Sequence, residues 1–224
     1  MQIHTLPADI ERTSMAIIAK ELEERGIRLP EENAAVIRRV IHTTADFDYA
    51  QNLRFTAGAV GRAVQKLAEG GAVIITDTNM ALAGVSKPSL KKLRAEAFCF
   101  MAEPEIEQKA KQEGTTRAAA SMVYGAAHWP EAVFAVGNAP TALLTLAEQI
   151  EDGLRPSLVI GVPVGFVNVV ESKEKLFAVC EQYGVPAIAA FGRKGGSNVA
   201  AAVCNALLYT AADMLDPGKR GWQG

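Results

Sequence analysis

Little of this chain is aromatic: Phe, Trp and Tyr make up 6% of its 224 residues, while apolar residues together reach 49%. The apolar content is therefore mostly Ala, Val, Ile and Leu, which suits tightly packed α/β layers. An excess of one charge sign is missing too. A formal charge of −2 leaves no basic footprint for nucleic acid. Cysteine is sparse and odd in number; Cys99, Cys180 and Cys204 each lie in an apolar segment. That excludes a disulfide framework and leaves reduced core residues. No apolar run reaches the ~18 residues of a membrane span, and MQIHTLPADIERTS carries no hydrophobic signal core. These absences point to a soluble cytoplasmic protein. Neither GxGxxG nor GxxxxGK[ST] occurs, so dinucleotide and nucleotide-triphosphate sites lose their usual support. HExxH, CxxC and a Ser-His-Asp order are also missing, and no ligand cluster would hold a metal.

What is present is a regular alternation. Residues 8–25 read as an amphipathic helix with Ile10, Met15, Ile17, Ile18 and Leu22 toward one side, stopped by Gly26. A second helix opens at Pro30-Glu31-Glu32 and runs to about Ile41; a short strand is possible within 51–55, and a third helix covers about 57–69. Short β-branched or small apolar runs follow at 72–76, 97–101, 133–136, 157–161 and 185–190. They show no apolar/polar alternation, as expected of strands buried on both faces. Helical stretches near 104–127, 140–152, 168–183 and 197–213 separate them. The expectation is one α/β domain over 1–213: a parallel sheet of five strands or slightly more, helices on both faces, Rossmann-like without its glycine fingerprint. Residues 214–224 have no periodicity and read as a loose tail.

Ligands of open parallel sheets bind beyond the carboxyl ends of the strands. Polar and glycine-rich segments gather there: Thr76-Asp77-Thr78-Asn79, Gly137-Asn138-Ala139-Pro140, Gly161-Val162-Pro163-Val164-Gly165 and Phe191-Gly192-Arg193-Lys194-Gly195-Gly196-Ser197-Asn198. In the last, glycines allow close approach, Ser197 and Asn198 offer helix caps, and Arg193 with Lys194 adds positive charge. Gly137 to Pro140 reads as a similar anion-binding device. Arg117 and Arg193 can grip carboxylates bidentately, so a polycarboxylate ligand fits better than a single phosphate.

Among the histidines, His42 has the richest surroundings: Thr43, Thr44, Asp46 and Asp48 follow it at the end of a helix. A histidine titrates near neutral pH and can both give and take a proton. His128 reads as a structural helix-end residue before Pro130.

Four segments in order, Arg39-Val40-Ile41-His42-Thr43-Thr44-Ala45-Asp46, Gly137-Asn138-Ala139-Pro140-Thr141, Gly161-Val162-Pro163-Val164-Gly165-Phe166-Val167 and Gly192-Arg193-Lys194-Gly195-Gly196-Ser197, resemble the precorrin-8X methylmutase family. The resemblance covers about residues 5–213. It implies a homodimeric isomerase with no cofactor, acting on a tetrapyrrole, precorrin-8X or cobalt-precorrin-8. The reaction it implies moves a methyl group from C-11 to C-12, giving hydrogenobyrinic or cobyrinic acid in cobalamin biosynthesis. The family's catalytic histidine falls on His42. Ser14, Arg39, Thr43, Arg117, Arg193 and Lys194 follow as substrate contacts. Asp77-Thr78-Asn79-Met80 departs from the Asp-Val-Arg-Met form of many members, where an arginine would meet a substrate carboxylate.

The chemistry agrees with this implication. A methyl shift within a conjugated ring needs the ring held in one conformation and one proton placed correctly. One histidine suffices, with Thr43, Thr44 or Asp46 to orient it. Two other readings stand beside it: a non-catalytic tetrapyrrole or polycarboxylate carrier, and an ordinary nucleotide-dependent α/β enzyme.

Overall fold

Successive side chains of a strand point to opposite faces, and the apolar runs divide accordingly. Val133 and Ala135 enter one core while Phe134 and Val136 enter another. Leu158 and Ile160 separate from Val159, and Ile188 and Ala190 from Ala187 and Ala189, in the same way. Both faces of these three strands are covered, which is why the runs look continuous rather than alternating. A computed structural model describes residues 6–220. His4 and the residues from 221 onward lie outside the described residues.

The strands are β1 (Leu53–Phe55), β2 (Val73–Thr76), β3 (Glu96–Phe98), β4 (Val133–Val136), β5 (Leu158–Gly161) and β6 (Ala187–Ala190). They form one sheet in the order β1-β6-β5-β4-β2-β3. The pairs from β3 to β6 are parallel; β1 runs antiparallel to β6, with Leu53 opposite Ala190. The expected parallel sheet of five strands thus gains an antiparallel edge. Its cause is connectivity: the chain reaches β1 from a helix end at the carboxyl side of the sheet, so it can only run back. Helix α1 (Pro7–Glu24), α2 (Glu31–Thr44), α4 (Ala59–Glu69) and α11 (Ser197–Ala211) share one core. Helices α8 (Arg117–His128), α9 (Pro140–Glu151) and α10 (Val169–Tyr183) cover the other face. A single turn, α3 (Tyr49–Asn52), connects α2 to β1.

Several boundaries differ from expectation. The stretch read as one helix from 104 to 127 is two, α7 (Pro104–Glu113) and α8, because Gly114 turns left-handed at φ 63 and Thr116 caps the second. Two short helices, α5 (Asn79–Gly84) and α6 (Lys87–Leu93), follow β2, capped by the side chains of Thr78 and Ser86. On α1, Ile18 and Leu22 are buried as expected, but Ile10 and Ile17 face outward and Glu11 is buried in their place. The tail from 214 to 220 is not loose. Met214 and Pro217 are buried, Pro217–Arg220 forms a 3-10 turn, and Arg220 is locked by a buried ion pair to Glu11. Cys180 and Cys204 are buried, Cys99 is half-buried, and all three are free.

Candidate functional site

The connections reverse direction between β2 and β4, which makes the gap beyond their carboxyl ends the topological switch point. Here that gap is filled by the protein itself. Asp77 is fully buried, and its carboxylate accepts from the backbone N–H groups of Gly137, Asn138 and Ala139 at 2.9, 2.8 and 2.9 Å. Burial raises its pKa above the ordinary carboxylate value, and the three amides work against that rise. The loop expected to bind an external anion has thus spent its amides on an internal one. Closure continues through Thr78 Oγ1, 2.8 Å from Ser197 Oγ. Gly137 is required at this join, since a Cβ there would sit 2.7 Å from the Ser197 Cα. Ser197 therefore ties α11 to β2 instead of capping it, and Asn198 forms no cap either.

The open chemistry lies at the carboxyl end of β6, where α2 terminates. Its last turn closes on Ala45, which is left-handed at φ 54. His42 is half-buried there, with Nδ1 2.9 Å from Ser14 Oγ of α1. Behind this pair Glu11 accepts from Arg39 at 2.5 Å and from Arg220 at 2.7 Å. Burial, then the Arg39 and Arg220 cations, lowers the His42 pKa; Glu11 opposes them. The lowered pKa favours the neutral ring. A cavity of about 330 Å³ borders it, lined by Ser14, Ile17, Arg25, Ile41 and Phe47 among others. Arg25 sits over the Phe47 ring at 4.1 Å.

The residues expected to orient the histidine do otherwise. Thr43 and Thr44 hydroxyls donate back to the Arg39 and Val40 carbonyls of their own helix. Asp46 and Asp48 both accept from Lys194 Nζ at 2.6 Å. Ser14 takes the orienting place. Lys194, expected as a carboxylate contact, is already neutralised, and its bond ties the β6–α11 loop to the His42 loop. Arg39 likewise faces inward, its side chain 12% exposed. Arg193 is exposed, 5.4 Å over the Phe166 ring. Arg117 is exposed at the start of α8, which meets α9 through Thr116 and Thr141. It stands with the opposite helical layer, and no contact among the described residues joins it to His42. Ser14, Arg39 and Thr43 lie around His42, and Lys194 is tied to the loop that follows it; Arg193 is adjacent in the chain to Lys194, and Arg117 is apart.

The model of the family described as precorrin-8X methylmutase matches residues 9–210. The chain belongs to the precorrin-8X methylmutase family. A cobalt-precorrin-8 methylmutase of Salmonella typhimurium is 42% identical over 207 residues, 91% of this chain and 95% of that protein. A precorrin-8X methylmutase of Pseudomonas aeruginosa is 40% identical over 201 residues, 88% and 93% of the two chains. The crystal structure of precorrin-8X methylmutase from Thermus thermophilus superposes with a TM-score of 0.80 at 38% identity, covering 91% of this chain and 98% of that one.

For this methylmutase-family chain, sequence reasoning overlooked Glu11, Arg25, Lys173 and Arg220. Each sits in a stretch whose charge pattern reads as an ordinary solvated helix face or tail. Only Arg25 had a visible signal, as a cation at the helix end before Gly26.

Proposed function

We propose that this methylmutase-family isomerase of cobalamin biosynthesis acts through His42. In the proposed reaction a methyl group moves from C-11 to C-12 of precorrin-8X or cobalt-precorrin-8. The carrying observation is the Ser14–His42 contact at 2.9 Å beside the cavity. A neutral imidazole with Nδ1 engaged leaves Nε2 for the substrate. If the Ser14 hydroxyl donates, Nε2 carries a proton to give; if it accepts, Nε2 holds a lone pair to receive one. An isomerisation conserves atoms, so a proton lent to the ring returns within the same turnover. One residue that both gives and takes is enough.

Arg193 is proposed to meet a rim carboxylate, with Arg117 as a second contact; the buried tie of Arg39 to Glu11 and the pairing of Lys194 with Asp46 and Asp48 point to a supporting role for those two. The cavity stands at the low end of the about 300–1,000 Å³ typical for drug-sized ligands, and a tetrapyrrole with acetate and propionate arms is larger. A second copy closing the cleft in a homodimer accounts for the difference. Exposed Ile10 and Ile17 on α1 support this, since Ile17 also lines the cavity. No helix among the described residues is long and apolar enough to cross a membrane. With three free cysteines, a cytoplasmic location is the proposed one.

The test is the spectral conversion of precorrin-8 to hydrogenobyrinic acid by wild type and His42→Ala. General acid–base residues contribute typically about 10²–10⁴-fold. His42→Ala is expected to lose at least about a hundredfold in turnover on that scale and still bind hydrogenobyrinic acid. Conversion at the wild-type rate would refute the assignment; absence of turnover by wild type, with tight binding, would favour the carrier.

A further inference from the structure

Lys173 on α10 is completely buried, and no carboxylate lies against it among the described residues. An unpaired buried ammonium is costly, and an apolar side chain of similar length would fill the space at less expense. Burial alone pulls its pKa down to about 8. What the ammonium gains is a grip on one loop. Nζ donates to the Gly192 carbonyl and to the Lys194 carbonyl, each at 2.8 Å. Between them the Arg193 carbonyl accepts from Gly165 N–H at 3.2 Å. Three successive carbonyls of the loop, at 192, 193 and 194, are therefore held by fixed donors.

The loop needs such a grip. Gly192 is left-handed at φ 82 and Gly196 lies at φ 140, so the segment has little stiffness of its own. Yet its side chains have defined places. Arg193 stands over Phe166, and Lys194 reaches Asp46 and Asp48 on the His42 loop. We propose that Lys173 is a positioning residue for the substrate: from beneath the loop it fixes the backbone that aims Arg193 at a rim carboxylate and Lys194 at the His42 loop. This rests on the reading that Arg193 binds a carboxylate of the macrocycle.

The experiment is a double-mutant cycle read by hydrogenobyrinic acid binding. Lys173→Met is made in wild type and in Arg193→Ala, and Kd is measured by absorbance titration, with Tm alongside. Arg193→Ala is expected to weaken binding roughly ten- to a hundredfold, the size of one charge-assisted bond. Lys173→Met is expected to weaken it about tenfold alone and less than about threefold in the Arg193→Ala background, because contacts acting through one group are not additive. Equal losses in both backgrounds, or no loss in wild type, would overturn the positioning role while leaving Arg193 in place. Unchanged affinity in Arg193→Ala would instead remove Arg193 from the site, and this inference with it. If Lys173→Met fails to fold, Lys173→Leu, which also removes the donor, decides in the same two backgrounds.

Discussion

The carboxylate of Glu11 and the guanidinium of Arg220, near opposite ends of the chain, lie 2.7 Å apart with both side chains almost wholly buried. Arg39 shares the same carboxylate, and Arg220 also stacks on Tyr209 at 3.8 Å. The pair binds the C-terminal turn to α1 and so braces the helix that presents Ser14.

Breaking a buried pair by removing one partner costs about 3–5 kcal/mol. Glu11→Gln is therefore expected to lower Tm by roughly 6–20 °C, at about 2–4 °C per kcal/mol for a chain of this size. Deleting residues 214–224 is expected to destabilise similarly. Burial tends to raise the Glu11 carboxyl, but hydrogen bonds from Arg39 and Arg220 hold it below the ordinary value. A depressed acid stabilises above its unfolded pKa, and that stability is lost as pH falls through the folded one. Glu11→Gln should accordingly flatten the loss of Tm between about pH 5 and lower values, where unfolded carboxyls near 4.3 begin to protonate. An unchanged Tm on tail deletion, followed by calorimetry, would show the tail to be dispensable.

The His42 pKa is lowered by burial and then by Arg39. In the proposed reaction the neutral ring is the working form, so the acid limb of kcat/KM is expected below the ordinary histidine value of about 6.5. Arg39→Met removes a neighbouring cation and should move that limb upward. Ser14→Ala deletes one hydrogen bond, worth about 0.5–1.5 kcal/mol, and is expected to reduce kcat roughly two- to tenfold with little change in product affinity. A pH profile indifferent to Arg39→Met would separate that arginine from the histidine's titration.

The central strands were readable because they are apolar on both faces; Val133 to Val136 has no polar position to obscure it. The break at Gly114 is marked in the sequence by the polar run Lys111 to Arg117, but no strand separates the two helices, so they read as one; α5 and α6 were hidden by their shortness. His42 stood out as a candidate from its neighbours in sequence, but its partner did not. Ser14 lies 28 positions away and meets it only because α1 packs on α2. Charged residues were misread for one recurring reason. Glu11, Arg39, Lys173 and Arg220 are indistinguishable from surface charges until the fold pairs them or buries them.

Asp77 gives a third prediction. Its carboxylate already holds the three amides a phosphate would need at the switch point. ATP and NAD are expected to leave Tm unchanged in a thermal-shift assay. Asp77→Asn keeps the shape but turns an N–H₂ toward an N–H donor, and should cost about 1–3 kcal/mol. A clear upward shift with either nucleotide would reopen the nucleotide reading.

The last prediction concerns assembly. Leu6, at the N-cap of α1, and Ile10 and Ile17 on it are about half exposed, at intervals of four and seven. Positions so spaced lie along one side of a helix. The stripe borders the His42 cavity through Ile17, while Ile18 and Leu22 serve this chain's own core. A helix with apolar residues on two sides has a second surface to bury, and a cavity of about 330 Å³ leaves most of a tetrapyrrole uncovered. Sedimentation is expected to show a dimer. Ile10→Asp, which lies outside the cavity lining, should weaken association and raise KM together, with the folded monomer retaining its circular dichroism. A monomer of wild-type protein with full activity at all concentrations would refute both the interface and the shared cleft.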